Sequence, residues 1–422
     1  MRFVYSLILY LATPLVLVRL LWRALRAPDY ADRWGERFGW VPTLETRSTV
    51  IWLHTVSVGE FLGALPLVRS LLQDPDVQLV ITTTTPTGSE RVRAALGDRV
   101  WHVYAPYDLP DCVARFLRRT QPSLLLIMET ELWPNTIAAC AKREIPVLLI
   151  NGRLSAKSAR GYQRFSGLTR PMLQRLSVAG VQGQADAERF QALGLPPEAC
   201  ELTGNIKFDL TLDEGMRTRA AALREQWVQG SERLVWVVAS THQGEDEPIL
   251  DAYQQLIQKV ETPPLLVLVP RHPERFDTVA ALCRRRNLVT VRRSRQEPVD
   301  AQTQVVVGDT MGELLLFFGA SDMAFVGGSL VPNGGHNLVE PAAWGLPLLS
   351  GSSQFNFAEM SRLLVDAGAL VLTDTPAQLA EQLAQLIQDP ELRRRRGQAA
   401  LTVTENNRGA LEKTRALVKR YV

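Results

Sequence analysis

The chain has 422 residues, too many for one ordinary core, so two domains are expected. Hydrophobic residues make up 46% and charged residues 22%, which excludes a mainly disordered, collagen-like or polytopic membrane protein. The 47 basic and 44 acidic residues leave a net charge of +3, so no general nucleic-acid binding is implied. Cys112, Cys140, Cys200 and Cys283 are scattered, without CxxC or metal-ligand spacing, which argues against a disulfide scaffold or zinc ribbon and suits a reducing compartment.

Residues 3–18 carry no charge and lie between Arg2 and Arg19. As a helix they reach about 24 Å, and about 30 Å if continued through Trp22, one hydrocarbon thickness. Arg19, Arg23, Arg26, Arg33 and Arg37 follow, against Asp29, Asp32 and Glu36. This predicts a membrane anchor over residues 1–25 that leaves the rest of the chain in the cytoplasm. No A-x-A site closes the stretch as a signal peptide would require. Pro14, Ser6 and Thr13 weaken a clean span, so a helix lying in the interface, with arginines snorkelling, stays open.

Short β-rich runs then recur at 50–54, 77–82, 100–104, 124–128 and 147–150, separated by amphipathic segments such as 61–73, 87–96 and 111–120. Unbroken apolar strands with helical crossovers indicate a parallel α/β sheet. The rhythm restarts after about residue 232 with LVWVVAS, LLVLVP, LVTV, QVVVG, MAFVGG and LPLLSG. Two doubly wound domains are expected, 26–212 and 213–422, with the charged helical stretch 212–230 at the junction. The last helix, about 407–420, is long enough to pack back across the first domain.

In such sheets ligands bind at the carboxyl ends of the strands. After the first strand, H-T-V-S-V-G-E puts Ser57, Gly59 and Glu60 at a strand-to-helix turn. Glu60 there is either a helix-start carboxylate or a general base. A helix N-terminus holds a carboxyl down, so a base would need burial to push it up. After the fourth strand, M-E-T-E-L-W-P-N sets Glu129 and Glu131 two residues apart, a pairing that must be solvated, paired or used. N-G-R-L-S (Asn151 to Ser155) follows the fifth. Lys207, in T-G-N-I-K-F-D, is either a solvated lysine or a cation for phosphate.

In the second half, S-T-H-Q-G-E-D-E follows a strand, and V-P-R-H-P-E-R-F offers Arg271 and His272 to a phosphate or base edge. G-D-T-M-G-E-L brings Gly312 and Glu313 to a helix start. In F-V-G-G-S-L-V-P-N-G-G-H-N-L-V-E-P, Gly327, Gly328, Gly334 and Gly335 permit close backbone approach, and Pro341 sets a helix start near Asn337. Glu340 then falls on the first turn, placed for ribose hydroxyls. The chain has no G-x-x-x-x-G-K-[ST] and no strand followed by G-x-G-x-x-G, against a P-loop ATPase and a dinucleotide oxidoreductase. Asp74-Pro75-Asp76 precedes a strand, so nothing indicates a metal-dependent sugar-nucleotide site. The basic runs 284–286, 292–295 and 393–396 are expected to be solvated helix faces, with contact to anionic lipid as the alternative.

RWGERFG (33–39), HTVSVGE, TPTGSERV, METELWPN, STHQGEDE, VPRHPERF, VVVGDTMGEL and FVGGSLVPNGGHNLVEP occur in that order. With these motifs the chain resembles the 3-deoxy-D-manno-octulosonic acid (Kdo) transferases of Gram-negative lipopolysaccharide synthesis. The resemblance implies a GT-B glycosyltransferase, two Rossmann-like domains facing a cleft behind an anchor in the inner membrane. It implies transfer of Kdo from CMP-Kdo to the lipid A precursor, with inversion and without a metal or other cofactor. Glu60 would then be the base, and Glu131 (or Glu129) with Lys207 would support the transition state. Arg271, His272, Met311, Gly312, Glu313, Asn337, Leu338, Val339 and Glu340 would form the CMP site. The competing readings are a UDP-sugar GT-B transferase or epimerase, and a non-catalytic membrane scaffold.

Overall fold

The computed structural model describes residues 1–26, 28–46 and 48–422, and for residues 26 and 28 the backbone alone. The Arg26 side chain of the basic stretch therefore lies outside the described residues. Two units form, Met1–Asp209 with Arg408–Val422, and Leu210–Asn407.

Among the described residues, the first unit is built on a seven-stranded sheet of β1 (Thr49–His54), β2 (Val77–Thr83), β3 (Trp101–Tyr104), β4 (Leu124–Met128), β5 (Val147–Gly152), β6 (Val178–Val181) and β7 (Cys200–Leu202). Its order is β3-β2-β1-β4-β5-β6-β7, and every ladder is parallel. Alternation along β1 feeds two cores. Val50 and Trp52 face one layer of helices, and Ile51 and Leu53 face the other.

The second unit repeats the plan with β8 (Val235–Thr241), β9 (Leu265–Pro270), β10 (Thr290–Arg292), β11 (Val305–Val307), β12 (Met323–Val326), β13 (Leu348–Ser350) and β14 (Leu370–Leu372). The order is β10-β11-β9-β8-β12-β13-β14, again all parallel. These are the expected α/β, doubly wound, Rossmann-like sheets. Strand order reverses at β1/β4 in the first sheet and at β8/β12 in the second, where crevices open at the strands' carboxyl ends.

Several elements differ from expectation. β6, β7 and β14 carry no strong sequence signal: β6 is VAGV, and the other two are three-residue, partly exposed strands. β10 begins at Thr290 rather than 288, on the sheet edge where no core contact pins the register. The helix near residue 337 starts at Val339 and runs only to Ala343. Its first amide is held by the Asn337 carboxamide oxygen at 3.1 Å, so Asn337 forms an Asx turn just before the helix rather than joining it.

The final helix is Ala410–Lys419. Leu417 and Val418 bury among Ile51, Leu53 and Phe61 of the first unit. Asp209 accepts the amides of Gly409 and Leu411, both at 2.6 Å, and fixes where the returning chain enters.

The N-terminal helix is continuous from Arg2 to Arg26 despite Pro14, with a mean hydropathy of 2.0 over its apolar window. Ser6 and Thr13 donate to the carbonyls of Arg2 and Leu9, one turn back, which removes the expected polar objection to an apolar helix. Phe3, Leu7, Leu11, Leu15, Val18 and Trp22 stay exposed. The other face docks on the first unit. Tyr5 donates to Asp108 at 3.1 Å, Tyr10 donates to Asp111 at 2.6 Å, and Ser6 meets Asn135.

Candidate active site

At the carboxyl end of β1, Ser57 caps the helix Val58–Leu71 and Glu60 sits on its first turn. This resembles a capping box shifted by one residue: the Glu60 amide donates to Ser57 Oγ, and the carboxylate accepts from Ser57 Oγ and from the Val56 amide, one residue before the cap, both at 2.8 Å. The structural reading of Glu60 is thus realised, and its carboxyl is nevertheless not held down as at an exposed helix start. Burial pushes the carboxyl up from 4.5 to about 7, past the opposing hydrogen bonds from Val56 and Ser57, and the charges of Glu131 and Glu129 add to the rise.

β4 ends beside it, across the switch point. Glu129 turns there with φ 58°, a left-handed conformation that costs a non-glycine residue about 1–2 kcal/mol. The turn buries its carboxylate, which accepts from Arg153 Nε at 2.6 Å and Lys207 Nζ at 3.1 Å. Burial would raise this carboxyl, but Lys207 and Arg153 hold it below the ordinary range. Glu131 differs: burial raises it, and its contact is Trp133 Nε1 at 3.2 Å. Two carboxyls two residues apart are therefore driven in opposite directions. Asn151, left-handed at the end of β5, accepts the Ile206 amide at 3.1 Å and so positions Lys207. Gly63, one turn beyond Glu60, leaves room for Met128, whose Cε would lie 3.2 Å from a Cβ there, with Lys207 Cε at an ordinary 3.6 Å. Arg153 was not singled out by the sequence reading, although it follows β5 within N-G-R-L-S.

In the second unit, the expected nucleotide residues are less uniform. Arg271 and His272 follow β9 and are exposed. Met311 is 58% exposed on a loop where Gly312 has φ 85°. Glu313 is clamped by the Arg293 guanidinium through bonds of 3.1 and 2.9 Å and by Thr310 Oγ1 at 2.5 Å. Arg292 similarly pairs with buried Asp309 at 2.6 Å. The run 292–295 was expected to be a solvated helix face. It instead begins at β10, and its first two arginines brace the loop of residues 309–313. Arg284, Arg285, Arg394 and Arg395 are exposed on helices, as expected. Asn337 Nδ2 donates to Glu340 Oε1 at 3.0 Å, while Leu338 and Val339 are buried.

Two histidines and one glutamate escaped the sequence reading, although all three lie in its quoted motifs. His242, after β8, and His336, after β12, stack with centroids 5.0 Å apart and Nε2 atoms 2.8 Å apart. Burial pushes His336 down to about 4, with His242 and Arg271 adding to the effect, so the pair rests neutral and one imidazole accepts from the other. His272 meets His242 edge-on at 5.2 Å. Among the described residues no cluster of His, Cys, Asp and Glu has metal-holding geometry. Glu245 is fully buried and accepts four amides: His242, Gly328, Ser329 and Leu330, at 2.7–2.9 Å. It ties the loop after β8 to the glycine loop after β12.

The glycines divide by task. Gly327 lets β12 approach β8, since a Cβ would lie 2.9 Å from the Ser240 carbonyl. Gly328 has φ 69°, and its Cβ would fall 2.8 Å from the His336 ring. Gly328→Ala is expected to separate the imidazoles and destabilise the unit by about 1–2 kcal/mol. Denaturant unfolding and the imidazole NMR resonances measure the two effects.

Comparison with known proteins adds relatives to this geometry. Residues 32–210 match a family described as 3-deoxy-D-manno-octulosonic-acid transferase (kdotransferase), and residues 289–403 match glycosyl transferases group 1. The chain is 42% identical over 424 residues to the 3-deoxy-D-manno-octulosonic acid transferase of Haemophilus influenzae, covering 100% of this chain and 99% of that protein. Its identity to the Bordetella pertussis 3-deoxy-D-manno-octulosonic acid transferase is 35%, over 98% and 97% of the two chains. Among solved structures, UDP-GlcNAc 2-epimerase from Neisseria meningitidis aligns at TM-score 0.59 and 13% identity, covering 88% of this chain and 99% of its own. That likeness concerns the GT-B-type fold alone.

Proposed function

The chain belongs to the 3-deoxy-D-manno-octulosonic acid (Kdo) transferases, glycosyltransferases, and from that premise we propose that it moves Kdo from CMP-Kdo to the lipid A precursor with inversion, Glu60 acting as general base. The observation that carries the base assignment is a carboxyl pushed up to about 7 at the carboxyl end of β1, beside the Glu129–Lys207–Arg153 cluster. A base is most effective when its pKa lies near the working pH.

In a single displacement, the acceptor hydroxyl oxygen bonds to the anomeric carbon of Kdo while the bond from that carbon to the CMP phosphate oxygen breaks. The hydroxyl proton passes to Glu60, and CMP departs with the electron pair. Lys207 and Arg153 are the cations closest to the reacting carboxylates, with Glu129 holding both in place. Glu131 is the carboxyl left without a cationic partner among the described bonds. CMP is already a phosphate leaving group, so cationic side chains and amides can take its charge without a metal. Arg271 supplies such a cation, with His272 and the neutral His242–His336 pair beside it and residues 311–313 and 337–340 around the nucleoside. Transfer of Kdo to a radiolabelled tetra-acylated lipid A precursor, with products resolved by mass, tests the proposal and counts the sugars added.

We read the N-terminal helix as lying in the inner-membrane interface on the cytoplasmic side. Its first turns hydrogen-bond to Asp108, Asn135 and Asp111, which a helix crossing the bilayer would carry away from the domain. The opposite face keeps its large apolar side chains exposed, as an interfacial helix requires.

The epimerase-like fold keeps a UDP-sugar reading in play, and nucleotide protection separates the two. CMP at 100 times its Kd is expected to stabilise the chain by about 2.7 kcal/mol, with UDP at the same concentration giving a much smaller melting shift. Equal shifts would favour the UDP-sugar reading. A non-catalytic scaffold would show neither transfer nor selective protection.

A further inference from the structure

His54 closes β1 and is a buried histidine that the catalytic assignment leaves without a task. Its Nδ1 lies 3.0 Å from Thr82 Oγ1 on β2, and its Nε2 is buried with no hydrogen-bond partner among the described residues. A buried ring nitrogen left over in this way calls for an explanation. Burial pushes the ring down to about 3, so it is neutral at any working pH. In a neutral imidazole one nitrogen donates and the other accepts.

The Thr82 hydroxyl decides which is which. Its oxygen accepts the indole N–H of Trp52 at 2.9 Å. Its own hydrogen can go to the Leu53 carbonyl at 3.5 Å or to His54 Nδ1 at 3.0 Å. The shorter bond is the stronger, so Nδ1 accepts and the ring proton sits on Nε2. That N–H meets no oxygen or nitrogen, and what packs on the ring is aromatic. Among the described rings Trp133 lies nearest, with centroids 4.4 Å apart and planes at 70°, against 6.1 Å for Trp52. Such edge-to-face packing favours a polar N–H edge over a π face.

Trp133 is tied at its other end to Glu131, to which Nε1 donates at 3.2 Å. Glu131 in turn lies close enough to Glu60 to push that carboxyl up. The Trp133 backbone is already set, because Pro134 follows and keeps it extended, with φ −104° and ψ 113°, before the helix Pro134–Ala141. What remains is rotation of the indole, and a ring packed edge-on restricts that rotation.

We infer that His54 is a positioning residue for Glu131: through the Thr82–His54–Trp133 stack it fixes the indole whose N–H holds that carboxyl beside Glu60. The inference rests on the base assignment above and adds what keeps the second carboxyl in place. His54 carries no charge, so it acts by geometry. The groups facing the two carboxyls are few. Glu60 meets Ser57 and Val56 on its own turn, and Glu131 and Glu129 after β4. Glu131 meets Trp133, Glu129 and the Tyr162 phenol, and Lys207 and Arg153 sit on Glu129. At His54 burial alone acts.

The test is the pH dependence of kcat/KM for Kdo transfer in His54→Phe, which keeps an aromatic ring, and in Thr82→Val, which removes the hydroxyl. Part of the rise at Glu60 comes from Glu131, so displacing Glu131 moves the limb near 7 to lower pH. Each variant is expected to show that move, with kcat reduced about tenfold and the acceptor KM little changed. His54 is neutral across the range, so no lost charge produces the move. A purely structural role would lower Tm and leave the limb in place. Trp133→Phe removes the N–H itself and should give the same move, and combining it with His54→Phe should add nothing further. The indole N–H resonance of Trp133, identified by its loss in Trp133→Phe, is expected to follow Glu131 ionisation in the parent and to lose that titration in His54→Phe. An unmoved limb in folded His54→Phe and Thr82→Val, additive effects in the double variant, or an indole resonance that titrates as in the parent would overturn the inference. If the parent transfers no Kdo, the base assignment falls, and the indole resonance still decides whether His54 orients Trp133.

Discussion

Glu60→Gln lowers the rate of Kdo transfer by about 10²–10⁴-fold, the range expected for loss of a general base. The amide keeps the shape of the capping box, and its oxygen still accepts the Val56 amide, so the loss reads proton transfer rather than folding. In the parent, kcat/KM for the acceptor rises with pH through about 7 and levels above it, because the carboxylate is the active form. The groups facing Glu60 are Ser57 and Val56 on its own turn, and Glu131 and Glu129 across the switch point with Lys207 behind them. Stability gives an independent readout with the opposite sense. The folded chain binds this proton more tightly than the unfolded chain does, so ionising Glu60 between about 4.5 and 7 costs stability. Glu60→Gln should therefore melt higher than the parent at pH 8, by roughly 2 °C or more, and match it near pH 4. A variant with full activity and an unaltered pH profile would remove Glu60 from the chemistry.

Glu245→Ala is expected to be the most destabilising single change in the second unit. It leaves the buried amides of Gly328 and Ser329, with those of His242 and Leu330, without their shared acceptor. One unsatisfied buried donor costs about 1–3 kcal/mol, so a total loss of about 4 kcal/mol or more is expected after partial hydration. The functional consequence follows from what the carboxylate ties together. The loop after β8 presents His242, the loop after β12 leads to His336, and the two rings meet only while Glu245 holds both loops. Glu245→Gln, which preserves volume but turns a donor towards amide hydrogens, should unfold less and still lose most CMP protection. If Glu245→Gln retained full CMP protection, the loop geometry would not matter to the nucleotide. Glu245 meets the two loops rather than a ligand, so the expected signature of its loss is a raised KM for the donor with a smaller change in kcat.

Sequence alone determined the architecture and marked where a candidate site would lie. Unbroken runs such as LLLIM and LLVLVP can be satisfied only by burial on both faces, so parallel sheets with helical crossovers followed from pattern. In such sheets the strand ends must carry the polar chemistry, which marked Glu60, Glu129, Glu131 and the glycine loop after β12. Short strands were not legible: VAGV at β6 has little side chain to read, and β7 and β14 are set by the neighbour they pair with. Nor was partnership legible, because an ion pair depends on distances across strands that are far apart in sequence. Glu129 and Lys207 are 78 residues apart, and His242 and His336 are 94 apart. A local reading could name both glutamates after β4 but could not say which one holds the lysine. The left-handed turn at Glu129 buries one carboxylate between two cations and leaves Glu131 with an indole. The same applies to Glu60: the S-x-x-E pattern announces a cap, and only the tertiary burial of that turn raises a helix-start carboxyl to about 7. Composition and periodicity are properties of segments, whereas desolvation and charge pairing are properties of neighbours brought together by folding, and those decided the chemistry.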